Sequence, residues 1–359
     1  MFSNFFLKSF RILLLPFALV YWLAITIRNW MYNKKILHST SFALPLICIG
    51  NLSVGGTGKS PMVEYLVRLL KDKFKVATLS RGYKRRTKGY ALANETSDAL
   101  DIGDEPMQFH IKFPDVPVAV GEERLDAIPQ LLHDRPETQV IILDDAFQHR
   151  AIKAGLNILL TDYNNLFTRD FYLPTGDLRD LKSEYKRAEI IIVTKCNPDL
   201  SDTERQNLIK EIDPVSGQSV FFTAIQYGQP YHMLTRAGFS FTNNTEVLLV
   251  SGIANPKPLK MMLEKYSKTY HMLQYPDHRI FTIDDLKEIR KKFMAIDAVD
   301  KIILTTEKDA VRLVKFNTEI AGWPLYVIPV RHHFLFGEEG RFGQLVIDFI
   351  QRSGQAAKN

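Results

Sequence analysis

The sequence predicts a doubly wound α/β protein on a mainly parallel sheet, with a second, smaller α/β lobe and an apolar N-terminal helix. Three observations predict it. β-Branched apolar runs alternate with helical spacing through the first half of the chain. The loop "GNLSVGGTGKSP", residues 50–61, joins one such run to a helix start. After a connector with turns at Gly228 and Pro230, strand-like runs resume near residue 246. The chain has 359 residues, room for two modest domains, and its 46% hydrophobic and 24% charged content is that of a globular protein.

In chain order, the N-terminus comes first. From Ile12 to Ile27, "ILLLPFALVYWLAITI" carries no charge; Lys8 and Arg11 precede it, and Arg28, Lys34 and Lys35 follow. Sixteen residues fall short of the roughly 20 that span a bilayer. Pro16, Phe17, Tyr21, Trp22 and Trp30 suit a helix lying in or shallowly entering the interface. A core helix packed on the domain is the alternative. A cleaved leader is disfavoured, because no small-residue cleavage site follows.

"LPLICIGN" reads as the first strand, and "PMVEYLVRLLKDKF" as the following helix. Further strands are expected at residues 75–82, 116–121, 139–147, 156–163 and 188–196, several apolar throughout, as strands buried on both faces are. "SDTERQNLIKEI" opens with a capping-box pattern. The second lobe should hold strands at 246–256, 301–310 and 324–330, and the tail "RSGQAAKN" should fray. The expected division is residues 1–38 membrane-associated helix, 39–225 nucleotide-binding core, 226–244 connector and 245–359 C-terminal lobe.

The net charge of +6 and pI near 9.0 suit an anionic partner, lipid headgroup or nucleic acid. Two cysteines, Cys48 and Cys196, sit in apolar strands and read as buried free thiols in a reducing compartment.

The loop at 50–61 is nearly a P-loop, with Ser53 where the first glycine of G-x-x-x-x-G-K-[ST] belongs. Between a strand and a helix N-terminus, it aims backbone N–H groups and the positive end of the helix dipole at an anion. Gly55, Gly56, Thr57 and Gly58 would wrap phosphates, Lys59 would reach the β- and γ-phosphates, and Ser60 would hold Mg²⁺. "VIILDDAFQHR" ends a strand in Asp144 and Asp145, candidates for the metal side, with Gln148 and His149 facing the same cleft. Asp104 and Glu105 in "DIGDEPMQF" are either helix-start acids or a general base and metal-side carboxylate.

"LSRGYKRRTKGY" holds Arg81, Lys84, Arg85, Arg86 and Lys88 with interleaved tyrosines. Beside a membrane helix, an anionic headgroup is its better partner than nucleic acid, and Arg81 is taken with the acceptor side. "YPDHRIF" and "LTTEKDAVR" place further polar residues where a second lobe could close on the first. A GTPase switch is disfavoured by Phe147 and Asn197, and no Leu-Ser-Gly-Gly-Gln signature of transporter ATPases occurs.

Taken in order, "GNLSVGGTGKSP", "SRGYKRR", "GDEP", "VGEERLDA", "LDDAFQHR", "LPTGDLRD", "SGIANP", "YPDHR" and "TEKDAVR" resemble the tetraacyldisaccharide 4′-kinases, the lipid A 4′-kinases of Gram-negative bacteria. The resemblance runs to about Arg312. Ser60, Ala146 and Arg279 depart from residues common in that family, Thr, Gly and a second His.

The resemblance implies a P-loop NTPase-like kinase that uses ATP and Mg²⁺. Its reaction would phosphorylate the 4′-hydroxyl of a tetraacylated glucosamine disaccharide 1-phosphate, at the cytoplasmic face of the inner membrane. It makes Asp104 the base with His278 as partner, and supports the catalytic Lys59 and Ser60 as nucleotide and Mg²⁺ contacts. Asp144 and Asp145 become the metal-side acids, with Glu105, Arg124, Gln148 and His149 lining the site. The implied partners are the lipid A precursor and a membrane surface, with no nucleic acid, for a monomer. The alternatives are a membrane-bound kinase for another lipid or sugar, and a nucleotide switch or assembly ATPase.

Overall fold

The computed structural model describes residues 11–356 apart from 243, 254, 267 and 268; Lys8 lies outside the described residues. Nine strands form the first sheet: β1 (Leu46–Asn51), β2 (Val76–Ser80), β3 (Ala91–Leu92), β4 (Val118–Val120), β5 (Val140–Asp144), β6 (Leu156–Asp162), β7 (Ile190–Thr194), β8 (Ser219–Tyr227) and β14 (Val330–Phe334). Their order is β14-β8-β7-β6-β1-β5-β2-β4-β3. All neighbours are parallel except β14 on β8 and β3 on β4. The second sheet holds β9 (Tyr231–His232), β10 (Glu246–Ser251), β11 (Tyr270–Gln274), β12 (Lys301–Thr306) and β13 (Leu325–Ile328), in the order β11-β10-β12-β13-β9.

Every residue of β1, β5 and β7 is buried, which explains why these runs are apolar throughout rather than alternating. On one face, Ile47 and Ile49 meet Met62, Leu66 and Leu70 of the helix Lys59–Leu70. Phe342, Val346 and Ile350 of the helix Glu339–Ala356 close the same face. Leu131, Tyr185, Leu208 and Phe222 cover the other. The helix Asp202–Ile212 starts on the reciprocal Ser201–Glu204 capping box its sequence predicts. Cys48 and Cys196 are buried free thiols, both pushed up to about 12 by burial.

The lobes divide less simply than the expected boundary at residue 245. The chain passes from the first sheet to the second between β8 and β9, and returns between β13 and β14. The two crossings touch, Gly228 N donating to Pro329 O at 2.9 Å. Pro329 has no N–H to offer a ladder, so the strand changes sheets there. β14 and the helix Glu339–Ala356 thus belong to the first sheet, and the expected connector contributes β9 as an edge of the second. The tail expected to fray continues as helix to Ala356; residues 357–359 lie outside the described residues.

The helix Leu15–Asn33 has Pro16 in its first turn and buries only Ala18 and Asn29. Phe17 is 66% and Val20 68% exposed, with Leu13, Leu23, Ile27 and Trp30 also turned out. The polar side is the one that docks. Tyr21 donates to Arg179 O at 2.9 Å, Arg28 to Gln148 O at 2.8 Å and Asn29 to Asp180 Oδ1 at 2.8 Å. This overturns the core-helix alternative, since the apolar side chains have no core to cover. Among the described residues no helix is long and apolar enough to cross a membrane, and Arg28 and Asn29 end the apolar run before the helix itself stops at Asn33.

Candidate active site

β1 lies between β5 and β6, and open α/β sheets bind ligands outside the carboxyl ends of such strands. The loop from Leu52 to Gly58 then turns through left-handed backbone at Gly55 (φ 106) and Gly58 (φ 87). A Cβ at Gly55 or Gly56 would meet nothing within 4 Å, so these glycines leave room beside the backbone rather than serve packing. Three neighbours hold the loop's shape. Asn51 donates to Thr57 Oγ1 at 2.9 Å, and Thr194 of β7 donates to Thr57 O at 2.9 Å. His332 of β14 bonds Gly58 O at 2.8 Å through Nε2, while its Nδ1 meets Thr223 Oγ1 at 2.9 Å. The helix Lys59–Leu70 has no side-chain cap, which leaves its first-turn N–H groups for an anion.

Beside it, β5 delivers Asp144 and Asp145, whose environments push them apart. Asp144 is buried, raised to about 7 by burial and then by the Asp145 charge. Its Oδ2 accepts from Ser80 at 3.3 Å, while Oδ1 is buried without a partner. Asp145 has a left-handed backbone (φ 52), a strained state for a non-glycine. Burial opposes its ionisation, but Lys59, 3.7 Å away, and a forked contact from Arg179 hold its carboxyl below the ordinary value. Arg179 also reaches Asn51 Oδ1 at 2.5 Å. Lys59 is lowered by burial, an effect Asp145 opposes.

The buried, unpartnered oxygen of Asp144 is what a divalent cation would satisfy. No three His, Cys, Asp or Glu side chains among the described residues converge as a ready cage. Mg²⁺ takes one or two protein oxygens and draws the rest from phosphates and water.

The third group comes from the seam between the lobes. The helix Asp104–Lys112 starts at Gly103 (φ 95), putting Asp104 and Glu105 in its first turn. His278, itself left-handed (φ 61), brings Nδ1 within 3.0 Å of Asp104 Oδ2. Arg312 donates Nε to Oδ1 at 3.1 Å and Nη2 to Oδ2 at 2.5 Å. Burial opposes ionisation of Asp104, but Arg312 and then His278 outweigh it and hold the carboxyl below its ordinary value. Glu105 pairs with Lys308 of the second lobe at 3.1 Å, and its charge is felt at both Lys59 and Asp144. Lys112, at the other end of the helix, bonds Glu64 at 2.5 Å and pairs with Glu307. Glu307 is raised to about 7 by burial and by Glu64.

Residues 10–351 match the family described as tetraacyldisaccharide-1-P 4′-kinase. The chain belongs to that family. Relatives named tetraacyldisaccharide 4′-kinase include one from Bacteroides thetaiotaomicron, 41% identical over 95% of this chain and 93% of its own. Another, from Flavobacterium johnsoniae, is 44% identical over 96% of this chain and 98% of its own. The solved structure of LpxK from Aquifex aeolicus in complex with ATP superposes with a TM-score of 0.75 at 27% identity, covering 95% of this chain and 99% of that one.

Within this family member the residues expected at the site take unequal positions. Lys59, at the end of the glycine loop, stands 3.7 Å from Asp145, next to Asp144 at the end of β5, and Gln148 and His149 follow just past that strand. Gln148 donates to Asn51 O at 2.8 Å. Its Oε1 and His149 Nε2 are buried without partners, and burial, with the nearby Arg124, lowers His149. Arg124 departs from expectation. It is 2% exposed, and its guanidinium bonds the carbonyls of Gly121 (3.1 Å), Glu122 (3.0 Å) and Asp144 (3.4 Å). That geometry supports positioning of Asp144 rather than contact with substrate. Arg81 is exposed, whereas Arg85, expected in a solvated basic loop, is committed to Glu122 at 2.7 Å. Sequence reading gave no role to Arg179, Arg312 or His332. The first two stand in quoted motifs; the third had no local signal.

His332 carries a stability prediction. Burial lowers it to about 4 from an ordinary 6.5. Between those values the unfolded chain takes a proton that the folded protein refuses, so stability should fall as pH drops through that window. The loss is on the order of 3 kcal/mol at most. Glu307, raised rather than lowered, acts with the opposite sign, so the reading must be a difference. The pH dependence of Tm for His332→Gln, subtracted from wild type, should isolate a slope confined to that window. A flat difference would mean that the ring is not held neutral.

Proposed function

We infer that this protein transfers the γ-phosphoryl group of ATP to the 4′-hydroxyl of a tetraacylated disaccharide 1-phosphate. Family membership supports the substrates. The observation that carries the chemistry is the meeting of Asp104 and His278, 174 residues apart, at 3.0 Å across the seam between the lobes. Phosphoryl transfer needs positioning and charge neutralisation, plus somewhere for the hydroxyl proton to go. Gly55, Gly56, Thr57 and Gly58 cradle the phosphates, and Lys59 leaves Asp145 for the β- and γ-oxygens. Ser60 and Asp144 hold Mg²⁺, with Asp145 on the metal side, fixed by Arg179. When bound, the ion neutralises charge building on the phosphate oxygens. The Asp104–His278 pair is the general-base unit. Glu105, Arg81, Gln148 and His149 line the acceptor side, with Arg124 behind Asp144. Because the pair spans the seam, the base is complete only when the lobes meet, which limits hydrolysis by water.

The test is turnover of radiolabelled ATP with a lipid A precursor, products separated by thin-layer chromatography. Label should move to the lipid, and ATP consumption should depend on it. Label appearing only as inorganic phosphate would favour a switch or assembly ATPase and end this reading.

The acceptor's acyl chains stay in the bilayer, so the enzyme works at its surface, here the cytoplasmic face of the inner membrane. The outward apolar side of the helix Leu15–Asn33 supports that placement. A Phe17→Glu/Val20→Glu variant changes two exposed side chains and should fold normally. It should lose most co-sedimentation with anionic vesicles while keeping nucleotide binding. Undiminished sedimentation would put the membrane contact elsewhere.

A further inference from the structure

The two carbonyls that end the glycine loop are both held by side chains of the first sheet. Thr57 O accepts from Thr194 Oγ1 of β7 at 2.9 Å, and Gly58 O accepts from Nε2 of His332 on β14 at 2.8 Å. Gly58 O also takes the first helix bond, from Met62 N at 3.2 Å. A trans peptide is planar, with its C=O and N–H on opposite sides. Fixing the Gly58 carbonyl therefore aims the Lys59 N–H. Gly58 is left-handed (φ 87, ψ 23) and Lys59 opens the helix, so successive N–H groups pass through a change of backbone hand, the geometry of an anion-binding concavity. The ring also takes the place of a side chain on Gly58, where a Cβ would meet Cε1 at 3.0 Å and Nε2 at 3.1 Å. The tautomer follows from the partners. A carbonyl only accepts, so Nε2 carries the hydrogen, and the Nδ1 lone pair accepts from Thr223 Oγ1 of β8 at 2.9 Å. The ring is 5% exposed, and burial keeps it neutral.

We propose that His332 is a positioning residue for nucleotide binding: by holding the Gly58 carbonyl it aims the Lys59 N–H at the phosphates, with Thr223 fixing the tautomer this requires. The proposal rests on the nucleotide reading of the loop above. It divides the work at Lys59 between side chain and backbone. The ammonium meets charge that builds during transfer, whereas a backbone N–H held in place binds the phosphates before and during it. Loss of the tether should therefore fall on affinity, raising Kd and KM for ATP, and leave kcat nearly unchanged. Left-handed glycine is the freest residue of the loop, so its peptide is the one that gains most from being held. Met62 N keeps Gly58 O partnered when the ring is lost, so the fold survives the change.

Two amides separate the ring's contacts. His332→Gln puts an amide nitrogen where the ring has Nε2 and keeps a donor for Gly58 O. His332→Asn reaches only as far as Nδ1, so it keeps the contact with Thr223 and gives Gly58 O nothing. His332→Leu removes both. Calorimetric titration with ATP and with ADP, each with Mg²⁺, gives Kd for the wild type and each variant; label transfer to the lipid gives kcat and KM. His332→Asn and His332→Leu should weaken both nucleotides about tenfold, the worth of one hydrogen bond, with kcat within about threefold of wild type. His332→Gln should stay within about twofold in Kd. Each amide loses one contact, so thermal melts should place the two close together, and affinity should follow the donor rather than stability. The contrast between the amides carries the reading if the Leu variant does not fold. Nitrogen-15 NMR of labelled histidine should show a hydrogen on Nε2 of His332 and none on Nδ1.

Equal ATP affinity in the Gln and Asn variants would overturn the proposal and make His332 a packing residue. A loss confined to kcat would overturn it too, as would a ring hydrogen on Nδ1. Wild-type titration separates this outcome from failure of the kinase reading. A wild type that binds ATP but passes no label to the lipid ends the kinase reading and leaves the tether standing on the Kd contrast. A wild type without affinity for ATP ends both.

Discussion

Lys59→Ala should reduce phosphoryl transfer by roughly 10²–10³ while leaving the fold intact. The ammonium lies 3.7 Å from Asp145 in a largely buried crevice, at the first residue of the helix that follows the glycine loop. In low dielectric a fixed cation beside the developing charge is worth a few kcal/mol, far more than in water. Its loss should fall on kcat more than on nucleotide affinity, because backbone N–H groups still hold the phosphates. Stability should change little. Arg179 keeps Asp145 paired, and Lys59, already lowered by burial, gives up a desolvated charge. Steady-state kinetics with a thermal melt on the same preparation checks both halves. Turnover above about a third of wild type would remove the basis for assigning Lys59 to the phosphates.

What could be read in the sequence beforehand follows how local the signal was. β1, β5 and β7 announced themselves, because strands covered on both faces must be apolar at every position. The glycine loop and the acids ending β5 were legible for a similar reason: their chemistry is set by spacing within a dozen residues. β14 was not. "VRHHF" alternates exposed and buried positions, and its pairing partner, β8, lies about a hundred residues earlier. The return to the first sheet therefore left no mark on periodicity.

The missed site residues share that property. His332 meets Gly58 across 274 residues, Arg312 meets Asp104 across 208 and Arg179 meets Asn51 across 128. An arginine in a polar motif reads the same whether it binds substrate or clamps a carboxylate. Arg124 shows the converse: the family resemblance brought it to the site, but burial and three carbonyls decide how it sits there. The apolar N-terminal run was read correctly as hard to bury. Its polar side, joining Tyr21 and Arg28 to the backbone of Arg179 and Gln148, appeared only in three dimensions.

Asp104→Asn and His278→Ala should each cut kcat by roughly 10²–10⁴, with KM for ATP nearly unchanged. A sugar hydroxyl is a poor nucleophile until its proton has somewhere to go, and neither residue is placed against the nucleotide loop. Asparagine is the better probe at 104, because its oxygen can still accept from Arg312. Alanine there would leave a guanidinium that is 6% exposed without its main partner, and loss of stability would obscure the kinetics. The amide removes the charge that steadies the imidazolium, much as loss of the acid disables a Ser-His-Asp triad. Since the two side chains act as one unit across the lobe seam, the double variant should be scarcely worse than the more damaging single change. Thermal melts should place all three variants close to wild type, so that the loss is read as chemistry. Fully additive losses in kcat would mean two independent roles, and the 3.0 Å contact between the lobes would then be structural rather than catalytic.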